Sequence, residues 1–312
     1  MTAIFKKNAW IVGLVALLAV LLVITKLIQP SFGASGLESI ARAALPFSFA
    51  TAGMAVVVIV GGIDLSVASM MAVCAVTAAV LMEKMAGVPA ILLVLCLGSL
   101  MGMINGALIV LTRVPDIVVT LAMLFVWEGV ALLILETPGG SITNWLQQGI
   151  RGSLVPGLPN ALAIMAVCLA VFWLPIRRSK LGISIYATGS DERAAFRSGV
   201  DVGRVKIAAY GMCGMFCALG GLSLAALTGI GEPVPGPYLL ASVAAVVLGG
   251  VVLGGGRGTL LGPIIAVFIL RIVRTILTLL AVDPNVTTII EGAIMVGVVM
   301  LGTIVTLRGA NR

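Results

Sequence analysis

The sequence predicts an all-α polytopic membrane protein with about ten transmembrane helices, within a range of eight to eleven. Of 312 residues, 61% are hydrophobic and only 31 are charged, 19 basic plus 12 acidic. A water-soluble chain of this length carries roughly 78 charges at the usual quarter of its residues. Mean hydropathy is +1.23, too apolar for the polar shell of a soluble globule. The apolar residues also fall in long continuous runs, and a helix needs about 20 of them to cross a ~30 Å hydrocarbon core. Continuous runs rather than ten-residue alternations favour helices over a barrel. A secreted disulfide scaffold, a disordered chain and an ordinary cytosolic enzyme are excluded.

Taken in order, the runs place spans at 8–28, 40–60, 66–82, 88–112, 116–136, 160–176, 207–229, 239–254, 259–280 and 286–307. The first follows Lys6 and Lys7 as a secretory signal would. It is longer than a signal core and many spans follow, so it reads as an uncleaved helix. No trusted lipidation motif stands at either end. The runs 66–82 and 239–254 are short or Gly-interrupted and read as tilted or broken helices. Ten spans put Lys6, Lys7, Arg308 and Arg312 on the same side as segment 177–206. That segment holds Arg177, Arg178, Lys180, Arg193, Arg197, Arg204 and Lys206. The positive-inside rule makes this side the cytoplasm, with both termini in it. Segments 29–39, 137–159, 230–238 and 281–285 fall outside. Topology therefore explains the net charge of +7 better than nucleic acid does. The chain forms one transmembrane domain, 1–312.

Two loops interrupt the apolar pattern. The outer one, 137–159, is punctuated by Pro and Gly and has room for an interfacial helix around Trp145. In the inner one, 177–206, Ser190 is placed to N-cap a helix of about two turns, with Asp191 and Glu192 in its first turn and Gly199 at its end. A solvated loop is the alternative. An internal echo links VVVIVGGIDLS (56–66) with AVVLGGVVLGGG (245–256), and paired Gly-interrupted segments point to a pathway between repeats.

Histidine is absent, which removes catalytic triads, Cys–His dyads and HExxH zinc sites. Cys74, Cys96, Cys168, Cys213 and Cys217 lie in apolar runs and read as packing residues rather than a metal or redox set. Ionisable residues inside spans are costly and so are functional candidates. Asp64, after Gly61 and Gly62, reads as part of a broken segment facing a polar cavity, with Ser66 capping the next helix; an interfacial cap is the alternative. Arg271 and Arg274 share one helix face, either paired with Glu291 or touching an anionic or strongly polar solute. Asn105 sits among Gly98, Gly102 and Gly106, and serves either close helix packing or a hydrophilic path. Glu128 and Glu136 lie too far apart for one site. No GxxxxGK[ST] loop is present, so ATP would be bound by another polypeptide, and GGGRG (254–258) reads as a tight turn.

GGIDLS (61–66), GMINGALI (102–109), RVPDIVVTLAM (113–123) and LGISIYATGSDERAAFRSGVDVGRVKIAAYGMCG (181–214) occur in this order. Together they resemble the membrane permease of monosaccharide ABC importers of the ribose, xylose, arabinose and galactose type. That family shares a superfamily with branched-chain amino acid permeases. The resemblance runs from the second span to the tenth. It implies a permease pair, homo- or heterodimeric, with solute passing between the subunits. It also implies a coupling helix over 189–201, carried by Gly189, Asp191, Glu192, Arg193, Ala194, Ala195, Arg197 and Gly199, docking on a cytoplasmic ABC ATPase that binds ATP–Mg. A periplasmic solute-binding protein would deliver cargo to the outer loop.

The chain departs from the family at GPYLLASVAAV (236–246), where Leu239 and Ala241 replace acids, and at Arg274–Ile276, which stand where Asn and Gly are common. The expected function is that of an inner-membrane permease subunit importing a small sugar or sugar derivative by alternating access, with no cofactor of its own. Its pathway residues would be Gly61, Gly62, Asp64, Ser66, Asn105, Arg271 and Arg274. The alternatives are a branched-chain amino acid permease and an ion-coupled secondary transporter using Asp64 and Glu128.

Overall fold

The computed structural model of the chain describes residues 9–234 and 236–310; Lys6, Lys7 and Arg312 lie outside them. Helices run in the order α1 Ala9–Ile28, α2 Ala34–Ile59, α3 Val67–Lys84, α4 Gly87–Thr112 and α5 Asp116–Ile134. After them come α6 Asn144–Arg151, the two-stranded hairpin β1 Ser153–Val155 with β2 Leu158–Pro159, α7 Asn160–Phe172 and α8 Leu174–Arg178. The chain continues through α9 Lys180–Ser190, α10 Glu192–Arg197, α11 Val202–Thr228, α12 Tyr238–Leu248, α13 Leu261–Leu279 and α14 Pro284–Ala310.

Among the described residues eight helices are long and apolar enough to cross a membrane. The short α12 and the 27-residue α14 occupy the other two expected runs, so the polytopic helical fold stands as expected. Its details differ in four places. The run 66–82 is one continuous helix, and the break precedes it, at 60–66. The run 239–254 is helical only to Leu248, after which a glycine-rich loop extends to α13. The run 160–176 divides at Trp173 into α7 and α8. Loop 137–159 carries the expected helix around Trp145 as α6, and also a hairpin that the sequence did not announce.

The core is α2, α3 and α11, with α4 laid along α11. Along the α4–α11 seam small residues replace bulky ones, so backbones come together. A Cβ on Gly98 would meet the Gly214 carbonyl at 2.5 Å, one on Gly106 the Ile207 Cα at 2.8 Å, and one on Gly102 would collide with the Tyr210 carbonyl. The four-residue glycine spacing therefore serves close approach, where contact between helix surfaces replaces the hydrophobic drive that lipid does not supply. The apolar faces of α1, α5 and α7 point outward, with Leu133 88% exposed and Phe125 66%, as lipid-facing surfaces require. The cysteines are all unpaired, and Cys74, Cys213 and Cys217 are buried packing residues.

Loops gather on two faces. On one, Gly139 and Gly231 form an antiparallel bridge, Ser141 N–H donates to the Ala79 carbonyl, and Arg151 donates twice to Leu227 O, at 3.1 and 2.6 Å. Glu38 pairs with Arg42 at 2.8 Å and accepts from Gly157 N–H, tying α2 to the hairpin. On the opposite face meet the 60–66 break, the 113–116 turn, segment 177–206 and loop 249–260. Trp10, near the start of α1, reaches this second face by donating from Nε1 to Leu248 O at 3.0 Å.

Candidate functional site

The break between α2 and α3 is held by hydrogen bonds from α4 and α5, and α11 supports the α5 carboxylate. Gly61 adopts φ +95°, a left-handed conformation open to glycine at no steric cost. Beyond it, both peptide groups of Ile63 are satisfied by α5: its N–H donates to Asp116 Oδ2, and its carbonyl accepts from Thr120 Oγ1 at 3.2 Å. Tyr210 Oη of α11 reaches the same Asp116 oxygen at 3.5 Å. A buried backbone break must satisfy each such group.

Asp64 is fully buried, with no exposed surface. Its Oδ1 accepts from Ser66 N–H at 2.9 Å and from Ser66 Oγ at 2.6 Å. Ser66 Oγ accepts from Asn105 Nδ2 at 2.8 Å, and Trp127 Nε1 donates to Asn105 Oδ1 at 3.2 Å. One chain of hydrogen bonds thus crosses from α5 through α4 to the break. Among the described residues Asp64 Oδ2 has no partner. Ser66 occupies the N-cap position of α3, but its side chain does not cap it; the hydroxyl is committed to Asp64.

Segment 177–206 folds as α9 followed by α10. The cap of α10 is Asp191, whose side chain accepts from Ala194 N–H at 2.9 Å, not Ser190. Ser190 is the last residue of α9, and its hydroxyl donates back to Tyr186 O. Gly199, at φ +85°, follows the helix end. Asp191, Glu192, Arg193, Ala194 and Arg197 are exposed, whereas Ala195 is buried against the body. Phe196 is 71% exposed, a bulky aromatic that the charge pattern of the segment did not single out. Glu192 pairs with Lys206 of α11 at 2.7 Å.

Three glycine segments meet at the base of this helix pair. A Cβ on Gly189 would collide with the Ile59 carbonyl and Gly256 N. Gly256 N–H donates to Ile59 O at 2.9 Å, and a Cβ on Gly255 would lie 2.9 Å from both Gly189 Cα and Gly61 Cα. Tyr186 Oη donates to Gly258 O at 2.9 Å, and burial pushes its phenol above the ordinary value. GGGRG is therefore a turn wedged between the break and α9. Beside it opens a cavity of about 490 Å³ lined by Gly61, Arg113, Asp116, Glu192, Lys206 and Tyr210.

Arg271 and Arg274 belong elsewhere. They line a separate cavity of about 110 Å³ with Phe47, Tyr238 and Glu291. Arg274 pairs with Glu291 at 3.6 Å, the partner expected from sequence. Arg271 lies over the Phe47 ring, 5.2 Å from its centroid. The structure thus joins Gly61, Gly62, Asp64, Ser66 and Asn105 with the Gly189–Gly199 segment, and leaves the two arginines apart. Sequence reasoning missed Asp116, Thr120, Trp127 and Tyr210; a polar residue within an apolar run was the available signal for each.

Residues 36–299 match the family described as branched-chain amino acid transport system / permease component. The chain belongs to this permease family. The permease is also similar to the autoinducer 2 import system permease protein LsrD of Escherichia coli (strain K12), 33% identical over 324 residues, which cover 97% of this chain and 94% of the relative. The LsrD proteins of Shigella flexneri and Escherichia coli O157:H7 match to the same extent. No solved structure matches the permease. The resemblance drawn from GGIDLS, GMINGALI and the 181–214 motif is borne out, and the permease is a multi-pass transport component of the bacterial inner membrane.

Proposed function

We propose that the chain is the membrane-spanning subunit of an ATP-driven ABC importer that moves a small sugar or sugar derivative by alternating access. The observation that carries the reading is that the C-terminal end of α9, from which the exposed helix α10 follows directly, meets the 60–66 break through Gly189, Gly255 and Gly61. A docking surface needs exposed anchors on a rigid support. Here Phe196, Arg193 and Arg197 stand exposed on a capped helix that follows α9 directly, and the end of α9 touches the break.

In this mechanism segment 177–206 is the cytoplasmic coupling loop, and Gly189 through Gly199 dock on an ATPase that binds ATP–Mg. Closure of that partner moves α9 and α10, and the Lys206–Glu192 pair and the glycine contacts carry the movement to α11 and the break. Gly61, Gly62, Asp64, Ser66 and Asn105 then organise the inner end of the pathway rather than contact cargo, since Asp64 and Asn105 are fully buried. Loop 137–159 is periplasmic and receives a solute-binding protein. Both termini are cytoplasmic, and a second permease subunit, identical or related, completes the pathway. The relatives' name makes autoinducer 2 the first cargo to test.

Charge reversal at Asp191 and Glu192 tests the coupling. The expected result is intact membrane insertion with loss of permease-stimulated ATP hydrolysis and of uptake. Unchanged uptake and unchanged ATPase association would remove the assignment. The family description supports a second reading, a branched-chain amino acid permease, and competition of leucine against autoinducer 2 for uptake separates the two.

A further inference from the structure

Arg271 lies mid-span, eight residues before Leu279 at the end of α13, or about 12 Å along the axis. A guanidinium at such depth is expensive unless a counter-charge or acceptor meets it. The neighbours supply neither fully. Among the described residues the Arg271 guanidinium forms no ion pair, its Nε is buried without a partner, and the Tyr238 phenol stands beside it as a neutral acceptor. It also lies over the face of Phe47, whose ring is 6.2 Å from that of Tyr238. Arg274, on the same face, meets Glu291 only at 3.6 Å and is 47% exposed. Two cations and one carboxylate leave the cavity with one positive charge in excess. Two aromatic rings wall it, and guanidinium forks match planar oxyanions in a bidentate manner.

We propose that this cavity binds one anionic oxygen group, a carboxylate or phosphate, carried by a small hydroxylated solute or by a lipid headgroup. Arg271 is the primary ligand and Arg274 the secondary one, released in part from Glu291. The inference rests on the importer reading only where the occupant is called cargo.

The test uses the full-length permease in phosphatidylcholine nanodiscs, titrated with ribonate, ribose 5-phosphate and neutral ribose while thermal unfolding is followed. A parallel sample replaces part of the lipid with phosphatidylglycerol and adds no solute. Saturable stabilisation by ribonate or ribose 5-phosphate, with ribose much weaker, identifies a solute site. Stabilisation by phosphatidylglycerol alone, dependent on Arg271, identifies a headgroup site of the same chemistry. Arg271→Gln should weaken binding by roughly tenfold or more, as loss of a charge-assisted bond does. Glu291→Gln keeps the shape, removes the one carboxylate among the described lining residues, and should tighten binding. Equal affinity for ribose, no Arg271-dependent anion effect, or weaker binding in Glu291→Gln would each overturn the proposal. Co-purification of an ATPase reports on the importer reading independently, so each can fail alone.

Discussion

Removing Asp64 and Asn105 singly and together measures whether the break is held by one connected chain of hydrogen bonds. Asp64→Ala removes two bonds to Oδ1, at 2.9 and 2.6 Å. Bonds to a charged acceptor contribute about 1.5–3 kcal/mol each. The loss is offset because a buried carboxylate with an unpartnered Oδ2 leaves with them. The net cost expected is about 1–3 kcal/mol. Asn105→Ala removes bonds of 2.8 and 3.2 Å and strands the Trp127 N–H, for a similar cost. Both changes act through Ser66 Oγ, so the double variant should fall short of additivity by about 0.5–1.5 kcal/mol. Equilibrium unfolding of the purified permease in mixed detergent provides the four values. Asp64→Asn, which preserves shape and an acceptor, should stay within about 1 kcal/mol of the parent. Additivity to within about 0.5 kcal/mol, or equal damage from Asn and Ala at 64, would refute the connected chain.

Gly189→Ala introduces a Cβ that collides with the Ile59 carbonyl; overpacking of this kind costs about 1–3 kcal/mol, read as a lowered melting temperature together with reduced uptake. Asp116→Ala orphans the Ile63 N–H and should destabilise by about 1–2 kcal/mol, whereas Asp116→Asn retains an acceptor and should lose less. Tyr210→Phe, which removes only the 3.5 Å contact, should cost under about 1 kcal/mol; a larger loss would mean that the phenol acts elsewhere. Burial raises the Tyr186 phenol above its unfolded value, so the stability it lends is complete below about pH 10 and falls as pH rises through the folded value. Tyr186→Phe should therefore flatten alkaline destabilisation in a melting series, and an unaltered alkaline limb would refute this.

The spans were legible because lipid imposes a length and a polarity that composition reports directly. The glycine ladder of α4 was legible for a related reason, since a four-residue spacing fixes a helix face. The meeting of residues 59–62, 189 and 255–256 was not legible. Those segments are far apart in the chain, and each glycine alone fits a turn equally well. Ser190 and Asp191 illustrate a finer limit: both are capping residues, and the choice fell to Asp191 because α9 runs on through Ser190. The depth of Asp64 was equally hidden, because its partners Asn105 and Trp127 come from other helices. Arg271 and Arg274 were correctly placed on one face, yet nothing in their spacing separated their cavity from the break.

α11 is 27 residues long, about 40 Å at 1.5 Å per residue, and so outreaches a ~30 Å hydrocarbon layer. Lys206 lies at one end, and Arg151 binds the Leu227 carbonyl at the other. Its bond to α4 through facing glycines admits little independent bending, so the two helices form a stiff strut between the membrane surfaces. A tilt of 5° about one end would shift the other by about 3.5 Å over that length. A small angular displacement at one end is thereby magnified into a translation of several ångströms at the other.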